Sequence, residues 1–275
     1  MSAGAVLQLD LGNSRLKWRL IERRGDCVSP QARPERGGAG GKGGAGEAAV
    51  AGAGGVTVFG RGACVPEDEA WLAQPGTVAA VQVASVAGDA AETALAGRVR
   101  DRFGIEPWFA RTAAQHGDLV NSYAEPQRMG VDRWLAMVAA RAGCRERLCV
   151  VDSGSALTID LVAADGRHEG GYIIPGAALM ARSLLADTDR VRFEEGAADS
   201  LSPGRSTAAC VHSGIALAQA GALRLALAEA SATGKAPRVV ASGGGGAALL
   251  ALAGLEDAEY REDLVFEGLA LAAPL

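Results

Sequence analysis

Apolar runs of strand length alternate along the chain with longer segments in which apolar residues recur every three or four positions. The first pattern predicts strands and the second predicts helices. Strands are predicted at residues 78–86, 107–110 and 238–241, in hairpins at 5–22 and 148–162, and from the Asp165-Gly166 turn to Gly170-Gly171. Helices are predicted at residues 90–103, 129–142, 179–185 and 207–230, and after residue 246. Because strands alternate with helices, the predicted class is α/β.

Two of the predicted hairpins share one arrangement of residues. In each, an apolar strand ends in an aspartate, and a glycine and small polar residues follow at the turn. The sequences are DLGNS from Asp10 and DSGS from Asp152. This repetition predicts an internal duplication, in which each half begins with such a hairpin and continues into α/β units. A cleft between the two halves is then the expected binding site.

Residues 37–55 consist almost entirely of glycine and alanine. Such a segment cannot offset its ordering entropy by packing, so it is predicted to be a flexible surface insertion. A phosphate-binding P-loop ending in Gly41-Lys42 is the alternative, but its spacing fails. Arg36 stands where the first glycine of that motif belongs, and Gly43 stands where a serine or threonine should hold magnesium.

The composition limits which binding partners and which cellular compartment are expected for the chain. The 275 residues are 49% hydrophobic, with a formal net charge of −5 and a pI near 5.4. No basic face is indicated, and aromatic residues make up only 4%, which argues against nucleic acid as a partner. The five cysteines form no Cys-x-x-Cys pair, so neither disulfides nor a zinc site is predicted. With no signal peptide or apolar span of about 20 residues predicted, the chain is expected to be cytoplasmic and without a membrane partner.

The first hairpin carries the groups that a magnesium-bound triphosphate needs. Phosphates require backbone N–H donors that can approach closely, hence glycine, together with small hydroxyl or amide side chains. Gly12, Asn13 and Ser14 supply these, and Lys17 adds a positive charge on the same hairpin. Asp10 would repel phosphates unless a cation lies between them, so it is predicted to bind magnesium, directly or through water. An ordinary tight turn is the alternative.

The second hairpin strengthens the phosphate interpretation because it repeats the first. Ser155 and the backbone beside Gly154 are candidates for binding terminal phosphates. Asp152 is a candidate cation ligand, since carboxylate oxygen suits a hard cation. Asp160 lies further along the same hairpin, and its role stays open between the site and simple pairing across the turn.

A third group of candidate residues opens a predicted helix, within the sequence NSYAEPQRMGVDRW. Asp132 could take a proton from an alcohol, and Arg133 could fork onto a carboxylate or a phosphate. The alternative for Asp132 is an acid at a helix start that interacts only with the helix dipole.

Two further motifs and the histidines have more than one interpretation. The sequence GGYIIPG, Gly170 to Gly176, is predicted as a strand ending in a turn with backbone exposed to the cleft, or as a structural Pro-Gly turn. The sequence SGGGG, Ser242 to Gly246, could hold a flat base and a phosphate, or could be a flexible connector. His116, His168 and His212 lack metal-ligand spacing and are predicted to be surface or polar-contact residues. Without a G-x-S-x-G motif, nucleophilic hydrolase chemistry is disfavoured.

Taken in order, these motifs resemble the type III pantothenate kinases of bacteria, a family of the actin-like, sugar-kinase-like ATPase superfamily. Six stretches carry the resemblance, from one end of the chain to the other apart from the Gly/Ala insertion: DLGNSRLK, NSYAEPQRMGVDRW, DSGSALTID, GGYIIPG, STAACVHSGI and SGGGG. The resemblance implies two duplicated actin-like (ribonuclease H-like) α/β domains, at residues 1–115 and 116–275, with a cleft between them.

The resemblance also implies an activity, its cofactors and the residues that serve it. The activity is ATP-dependent phosphorylation of pantothenate to 4′-phosphopantothenate, the first step of coenzyme A synthesis, with magnesium and a monovalent cation, K⁺ or NH₄⁺, in a homodimer. Asp132 would be the general base, Asp152 would hold the monovalent cation, Asp10 would lie near magnesium, Ser155 would contact ATP, and Gly243 to Gly245 would lie by the adenosine. The first hairpin would bind ATP through Asp10, Leu11, Gly12, Asn13, Ser14, Arg15, Leu16 and Lys17. Pantothenate would be bound by Tyr123, Gly130, Val131, Asp132, Arg133 and, from across the dimer interface, Thr207.

This chain departs from the family pattern at two positions. Ser14 and Ser155 stand where many members carry threonine, and both keep the hydroxyl, so phosphate contact is expected to survive. Two other functions remain possible for such a sequence. One is a nucleotide-binding regulator or accessory factor that has kept the fold, and the other is a kinase of the same superfamily that acts on a sugar or on acetate.

Overall fold

The computed structural model describes residues 4–13, 15–23, 51–52, 56–66, 68, 70–73, 78–187, 192–194, 196 and 200–274. Ser14 therefore lies outside the described residues, as does the predicted Gly/Ala insertion apart from Ala51–Gly52. The chain divides into two compact units, one of Met1–Val83 with Ala87–Trp108 and the other of Ala84–Val86 with Phe109–Leu275. The domain boundary predicted between residues 115 and 116 stays a prediction.

The first unit is built on a sheet with the strand order β3-β4-β2-β1-β5-β6. Its strands are β1 (Ala5–Leu11), β2 (Leu16–Arg23), β3 (Ala51–Gly52), β4 (Val56–Cys64), β5 (Val78–Ser85) and β6 (Trp108–Phe109). Strands β1 and β2 form the predicted hairpin, in which Asp10 lies opposite Lys17. Strand β4 pairs antiparallel with β2, and the sequence pattern gave no strand there.

Helix α1 (Asp89–Phe103) belongs to the first unit and confirms the helix predicted at residues 90–103. Asp89 and Glu92 lie in its first turn and Arg100 and Arg102 in its last, which suits the helix dipole at both ends. Gly104 ends the helix in the left-handed region at φ 69°, a conformation that glycine adopts without a steric cost.

The second unit is built on a sheet with the strand order β11-β10-β9-β12-β13. Its strands are β9 (Leu148–Ser153), β10 (Ala156–Val162), β11 (His168–Pro175), β12 (Arg238–Ser242) and β13 (Glu259–Tyr260), beside a short ladder of β7 (Gln115–His116) and β8 (Leu119–Val120). Strands β9, β10 and β11 are successively antiparallel, and β12 runs parallel to β9 and β13. The α/β class predicted from the sequence is confirmed.

Helices cover both faces of this sheet. They are α2 (Val131–Gly143), α3 (Ala177–Asp187), α4 (Thr207–Ala232), α5 (Gly246–Ala253) and α6 (Leu264–Ala272). Cys149 and Val151 of β9 pack into one cluster with residues of α4 and α5. Val150 points the opposite way, as alternation along a strand requires, and is also buried, on the side where α2 packs on β9. Gly268 lets α6 lie against the backbone of Leu135 in α2.

The structure corrects one expectation about a glycine-rich segment and excludes one alternative for another. Strand β11 was expected to end at Gly170-Gly171, but it continues to Pro175. The run from Ser242 to Gly246 is not a flexible connector, because the N–H groups of Gly245 and Gly246 donate hydrogen bonds to the carbonyls of Ser153 and Gly243. Both segments are therefore fixed parts of the second unit.

Helix α4 is long and apolar enough to cross a membrane by length and composition alone, and one third of its most apolar window is buried within the fold. Core helices of water-soluble proteins meet the same criterion. Here α4 packs against α3, α5 and β10 through the buried residues Ala216, Ala220, Leu223 and Ala226.

An ion-pair cluster links Asp118, in the turn between β7 and β8, to α2 and to the turn after β10. Arg141 is only 4% exposed and donates to the Asp118 carboxylate from Nε at 3.1 Å and Nη2 at 2.7 Å, and Nη2 also donates to the Ala164 carbonyl. Arg145 is a second partner of Asp118. These two arginines lower the pKa of Asp118 to about 2, the hydrogen bond from Arg141 being the largest cause.

Replacing Asp118 by asparagine is expected to lower the free energy of unfolding by about 1 kcal/mol at neutral pH, because buried Arg141 loses its charged partner but the Asp118 side chain is 40% exposed and screened by solvent. The folded pKa lies below the unfolded one, so this contribution is complete above the unfolded pKa and is lost as pH falls towards about 2. Urea unfolding of both proteins at about pH 7 and about pH 3 measures the gap, which should shrink in acid.

The matched control is Glu106→Gln, since the ion pair of Glu106 with Arg100 is exposed on both sides and should contribute little. A gap between wild type and Asp118→Asn that is equal at both pH values would contradict the assignment.

Candidate active site

The first candidate hairpin is a tight turn with a charged pair beside it. The N–H of Gly12 donates to the Arg15 carbonyl at 3.0 Å, which closes the turn. The Asp10 carboxylate and the Lys17 ammonium lie 3.9 Å apart on paired strands. The side chains of Leu11 and Leu16 are buried in the core, and those of Asn13 and Arg15 are exposed. The two leucines can therefore meet a ligand only through their backbone.

The second hairpin places Asp152 at the end of β9, directly beside β12. Ser242 is paired with Asp152 in the parallel ladder, and its hydroxyl donates to Oδ1 of Asp152 at 2.7 Å. The N–H of Gly154 donates to the Ala156 carbonyl, and Ser155 is exposed at the tip of the turn. The Asp152 carboxylate is thus held in one orientation by a buried serine hydroxyl.

The glycine-rich run after β12 passes close to this hairpin. Gly243 has a φ of +82°, and a Cβ there would lie 2.6 Å from Oδ1 of Asp152, so only glycine fits. The hydroxyl of Tyr260 donates to the Gly243 carbonyl at 3.1 Å. The run thereby joins the Asp152 turn to the start of α5, with its backbone held close to the carboxylate.

Asp132 lies in the first turn of α2, after the N-cap residue Gly130. Its Oδ1 accepts a hydrogen bond from the backbone N–H of Arg133 at 2.8 Å. A Cβ on Gly130 would lie 2.6 Å from the same oxygen, so the glycine leaves the space that the carboxylate occupies. Val131 between them is buried in the core.

Two opposing influences act on the protonation of Asp132. Burial raises the pKa of its carboxyl above the ordinary value, and the negative charge of Asp152 raises it further. The hydrogen bond from the Arg133 backbone and the guanidinium charge lower the pKa, without cancelling the burial. The net direction is upward, which is the shift that a general base needs. The two aspartates therefore interact electrostatically within the second unit.

The Arg133 side chain is engaged inside the protein. Its Nε donates to Oδ2 of Asp160 at 3.0 Å and its Nη2 donates to Oδ1 at 2.5 Å, a two-pronged pair in which both side chains are at most 5% exposed. Its Nη1 donates to the Tyr123 hydroxyl at 3.0 Å. The guanidinium also lies over the Tyr123 ring, 5.8 Å from the centroid. The sequence suggested a fork of Arg133 onto a carboxylate or phosphate of a ligand, whereas the fork is made inside the protein, onto Asp160.

His168 completes this buried cluster, which decides between alternatives that the sequence left open for His168 and Asp160. Its Nε2 lies 3.0 Å from Oδ1 of Asp160, and its Nδ1 lies 2.8 Å from the Ser122 hydroxyl. His168 is 1% exposed, so it is a polar-contact residue and not a surface one. Asp160 does not merely pair across its turn, because its partners are Arg133 of α2 and His168 of β11.

The loop before α2 explains the start of the sequence NSYAEPQRMGVDRW. The side-chain oxygen of Asn121 accepts from the N–H of Tyr123 at 2.9 Å, an Asx-type turn that sets the path of the loop. Ser122 binds His168, and the Tyr123 ring lies 6.3 Å from the His168 ring. Each of these three consecutive residues therefore makes a separate contact that orients the tyrosine.

Gly171 provides the space for the buried pair. It lies directly opposite Asp160 in the β10–β11 ladder. A Cβ there would overlap Oδ1 of Asp160 and would come within 3.0 Å of Nη2 of Arg133. Gly171 of GGYIIPG thus serves the Arg133–Asp160 pair, which neither interpretation from the sequence anticipated.

Thr207 lies apart from the residues around Asp132. It is exposed at the first position of α4, after Ser206, whose hydroxyl caps the helix by accepting from the Ala209 N–H at 3.2 Å. It lines an open groove of about 790 Å³ between α3 and α4, together with Met180, Leu184 and Arg205. None of the other predicted pantothenate-binding residues lines this groove.

The residues predicted to hold cations are single carboxylates. Within the part of the chain that the structure describes, no group of three or more His, Cys, Asp and Glu side chains is arranged to hold a metal ion. Asp152 has its carboxylate beside the backbone of Ser153 and Gly243, so oxygen donors are what this position offers. Such a donor set suits a weakly held hard cation, completed by substrate or water oxygens.

The sequence did not reveal the side-chain contacts that Asp160, His168 and Ser242 make with Arg133, Asp160 and Asp152. A signal for Asp160 existed, because it interrupts the apolar strand LTIDLV, and a charge in a strand covered on both faces requires a buried partner. Nothing local marked His168 or Ser242, whose partners are 8 and 90 positions away along the chain.

Comparison with known proteins gives a consistent match along most of the chain. A family model described as type III pantothenate kinase matches residues 66–229. Proteins named type III pantothenate kinase include one from Hahella chejuensis (strain KCTC 2396), 35% identical over 97% of this chain and 96% of that protein. Another, from Pseudomonas putida (strain W619), is 34% identical over 98% of this chain and 99% of that protein.

One solved structure shares the fold at low sequence identity. It is from Campylobacter jejuni and is described as a member of the Baf family of transcriptional activators. It is 18% identical, with a TM-score of 0.55 over 96% of this chain and 95% of that one. At this identity the likeness concerns the fold alone.

Proposed function

The chain belongs to the type III pantothenate kinase family, and we propose that it transfers the terminal phosphoryl group of ATP to pantothenate, giving 4′-phosphopantothenate and ADP in the first step of coenzyme A synthesis. The observation that carries this proposal is Asp132, an oriented carboxylate of raised pKa beside the Arg133–Tyr123 pair. A carboxylate of this kind suits the removal of a proton from an alcohol.

In the proposed reaction the pantothenate hydroxyl oxygen attacks the γ-phosphorus of ATP. The O–P bond to pantothenate forms as the bond from the γ-phosphorus to the bridging oxygen breaks, and ADP carries away that electron pair. Asp132 accepts the hydroxyl proton. Phosphoryl transfer depends mainly on positioning and charge neutralisation, and a positioned base contributes on the order of 10²–10⁴ in rate.

We propose that one group of residues binds ATP and another binds pantothenate. ATP phosphates are bound at the first hairpin, by the backbone and polar groups of residues 10–17, and at Ser155. Pantothenate is bound by Tyr123, by the segment from Gly130 to Arg133, and by Thr207. The half-buried tyrosine and the exposed Ser155 and Thr207 support these assignments, since each presents a hydroxyl that can donate and accept. Gly243 to Gly245 lie by the adenosine.

Two cations belong to this proposal. Magnesium bound by the triphosphate is held near Asp10, and a monovalent cation, K⁺ or NH₄⁺, is held at Asp152. Bound cations offset the charge of the triphosphate. The hydroxyl of Ser242 supports the second assignment, because it fixes one oxygen of Asp152 and leaves the carboxylate in a defined orientation.

We further propose that the chain forms a homodimer through α4 and acts in the cytoplasm. Gly214, Leu217, Gly221 and Leu225 follow one another at helical spacing along α4 and are all exposed, with Leu217 at 57% and Leu225 at 62%. Among the residues that the structure describes, none lies within 4 Å of the Cβ position of Gly214 or Gly221, the helix's own neighbouring backbone aside. An exposed apolar stripe with small residues suits close helix packing against a second copy. Thr207 lies on the same helix, so a dimer would supply it to the partner's site.

A regulator that binds nucleotide without useful turnover is the second candidate. It is favoured only by the Campylobacter jejuni structure, whose description is that of a transcriptional activator. The presence of Asp132 argues for the kinase, because a regulator has no need of an oriented base.

We expect pantothenate-dependent release of ADP from the wild-type chain with magnesium-ATP and K⁺, and a loss of about 10²–10⁴ in kcat on Asp132→Asn. The substitution keeps the side-chain shape and the hydrogen bond from the Arg133 backbone, so folding and ATP binding should persist. A coupled ADP assay measures turnover, and thermal unfolding of both proteins is the control. Wild-type turnover in Asp132→Asn would remove the base role.

The pH profile is a further readout of the same group. Since the pKa of Asp132 is raised, turnover should fall on the acid side at a higher pH than an exposed aspartate would produce. If the wild-type chain binds ATP but releases no ADP with pantothenate, the proposed pantothenate kinase activity is wrong. A nucleotide-binding regulator or a kinase with another substrate then becomes the better explanation.

Activity is expected to require K⁺ or NH₄⁺ and to be lost in a buffer whose monovalent cation is Na⁺ at equal ionic strength. Asp152→Asn should remove the difference between the two buffers. The measurement is the initial rate of ADP release over a titration of KCl against NaCl. An undiminished rate in sodium alone would contradict the cation assignment.

Leu225→Glu is expected to convert the dimer to a monomer. In a homodimer the substitution places a negative charge in the apolar stripe of each protomer, and both charges would be buried at the interface. Light scattering coupled to size-exclusion chromatography measures the mass. The matched control is Leu271→Glu on α6, another exposed leucine, at 49%. A wild-type chain of monomer mass, or an equal loss of mass in both variants, would refute the assignment to α4.

A further inference from the structure

A buried histidine stands behind the residues that are proposed to meet pantothenate. The two ring nitrogens of His168 contact Asp160 and Ser122. Asp160 in turn holds Arg133, and Arg133 holds the Tyr123 hydroxyl. The contacts form a chain that runs Ser122, His168, Asp160, Arg133, Tyr123, entirely within the second unit.

The contact with Asp160 fixes the role of one ring nitrogen. A carboxylate can only accept, so the His168 nitrogen that faces Asp160, Nε2, must carry a proton. Nδ1 faces the Ser122 hydroxyl, which donates to a neutral imidazole and accepts from a protonated one. With a neutral histidine, the charges of Arg133 and Asp160 cancel within the buried cluster.

Both oxygens of Asp160 are engaged by this arrangement. Oδ2 accepts from Nε of Arg133, and Oδ1 accepts from both Nη2 of Arg133 and Nε2 of His168. Without the histidine, the carboxylate could turn about its Cβ–Cγ bond, and the guanidinium would lose its two-pronged geometry. The Tyr123 hydroxyl and ring would then lose a fixed partner, since Arg133 lies both beside and over the tyrosine.

We propose that His168 and Asp160 are positioning residues for the acid substrate: through Arg133 they hold the Tyr123 hydroxyl and ring in the orientation that pantothenate meets. This inference rests on the proposed function, because it concerns the same substrate. Ser122 belongs to the same device, since its hydroxyl contacts Nδ1 of His168 and it lies beside Tyr123 in the loop before α2.

A positioning role predicts which kinetic constant changes when the role is lost. Tyr123 and Arg133 are proposed to meet pantothenate and not ATP, so loosening them should weaken pantothenate binding selectively. Removal of a supporting contact behind a binding group costs about 10–100-fold in comparable sites. A role in folding alone would lower the amount of active protein and the kcat, and would leave both KM values unchanged.

The experiment compares KM for pantothenate, KM for ATP, kcat and thermal midpoint across the wild type, four single variants and one double variant. His168→Leu removes both ring contacts at similar volume. His168→Gln restores an amide N–H towards Asp160, and Ser122→Ala removes only the hydroxyl behind the ring. His116→Gln is the matched control, on the short strand β7 and outside the cluster.

We expect His168→Leu to raise KM for pantothenate by about 10–100-fold while KM for ATP stays within about twofold. His168→Gln should recover most of this loss, Ser122→Ala should raise KM for pantothenate by a few-fold, and His116→Gln should match the wild type. Adding Ser122→Ala to His168→Leu should have no further effect, because the serine acts through the histidine.

An unchanged KM for pantothenate in folded His168→Leu would overturn the inference, as would equal rises in both KM values. If His168→Leu does not fold, Ser122→Ala and His168→Gln decide, and wild-type kinetics in Ser122→Ala would then count against the inference. A wild-type chain without pantothenate-dependent turnover overturns the proposed function itself, and the wild-type arm reveals this before any variant is compared.

Discussion

The buried ion pair between Arg133 and Asp160 is the constraint around which the second unit is arranged. Removing two charges from water costs several kcal/mol per ion, and the mutual attraction offsets this only where the remaining donors and acceptors are also satisfied. Here the carboxylate has three hydrogen bonds and the guanidinium a third acceptor in Tyr123. The first turn of α2, strand β10, strand β11 and the loop before α2 must therefore keep one relative arrangement.

That constraint explains glycines that the sequence pattern left ambiguous. Gly171 lies where any side chain would overlap the Asp160 carboxylate, and Gly130 lies where a side chain would overlap the carboxylate of Asp132. Neither residue has a positive φ, so their requirement comes from neighbouring atoms and not from their own backbone conformation. Gly243 differs, because it needs both the left-handed backbone and the space beside Asp152. Local turn chemistry alone could not have separated these cases.

Elements with a strong local pattern were predicted well, and those that depend on distant partners were not. Helix α1, with its charged ends and Gly104, and the two aspartate-containing hairpins follow from spacing within about ten to fifteen residues. Strand β4 and helix α6 were missed, the first because it has little alternation and the second because its mainly apolar sequence shows no clear face. Asp132 and Asp152 were proposed from the motifs that contain them, and their roles stay predictions. For His168 the sequence left a surface position and a polar contact open, since an isolated histidine has no local mark of burial.

In its proposed role as a base, Asp132 meets two requirements that conflict with each other. A base must be ionised at the working pH, and its affinity for a proton rises with its pKa. The helix start and the Arg133 N–H favour the ionised form, whereas burial and the charge of Asp152 favour the neutral one. The pKa is raised, but these stabilising contacts oppose full neutralisation. A carboxylate held in this balance is more basic than an exposed aspartate and has a fixed direction, and both properties derive from the first turn of a helix whose next residue is locked by Asp160.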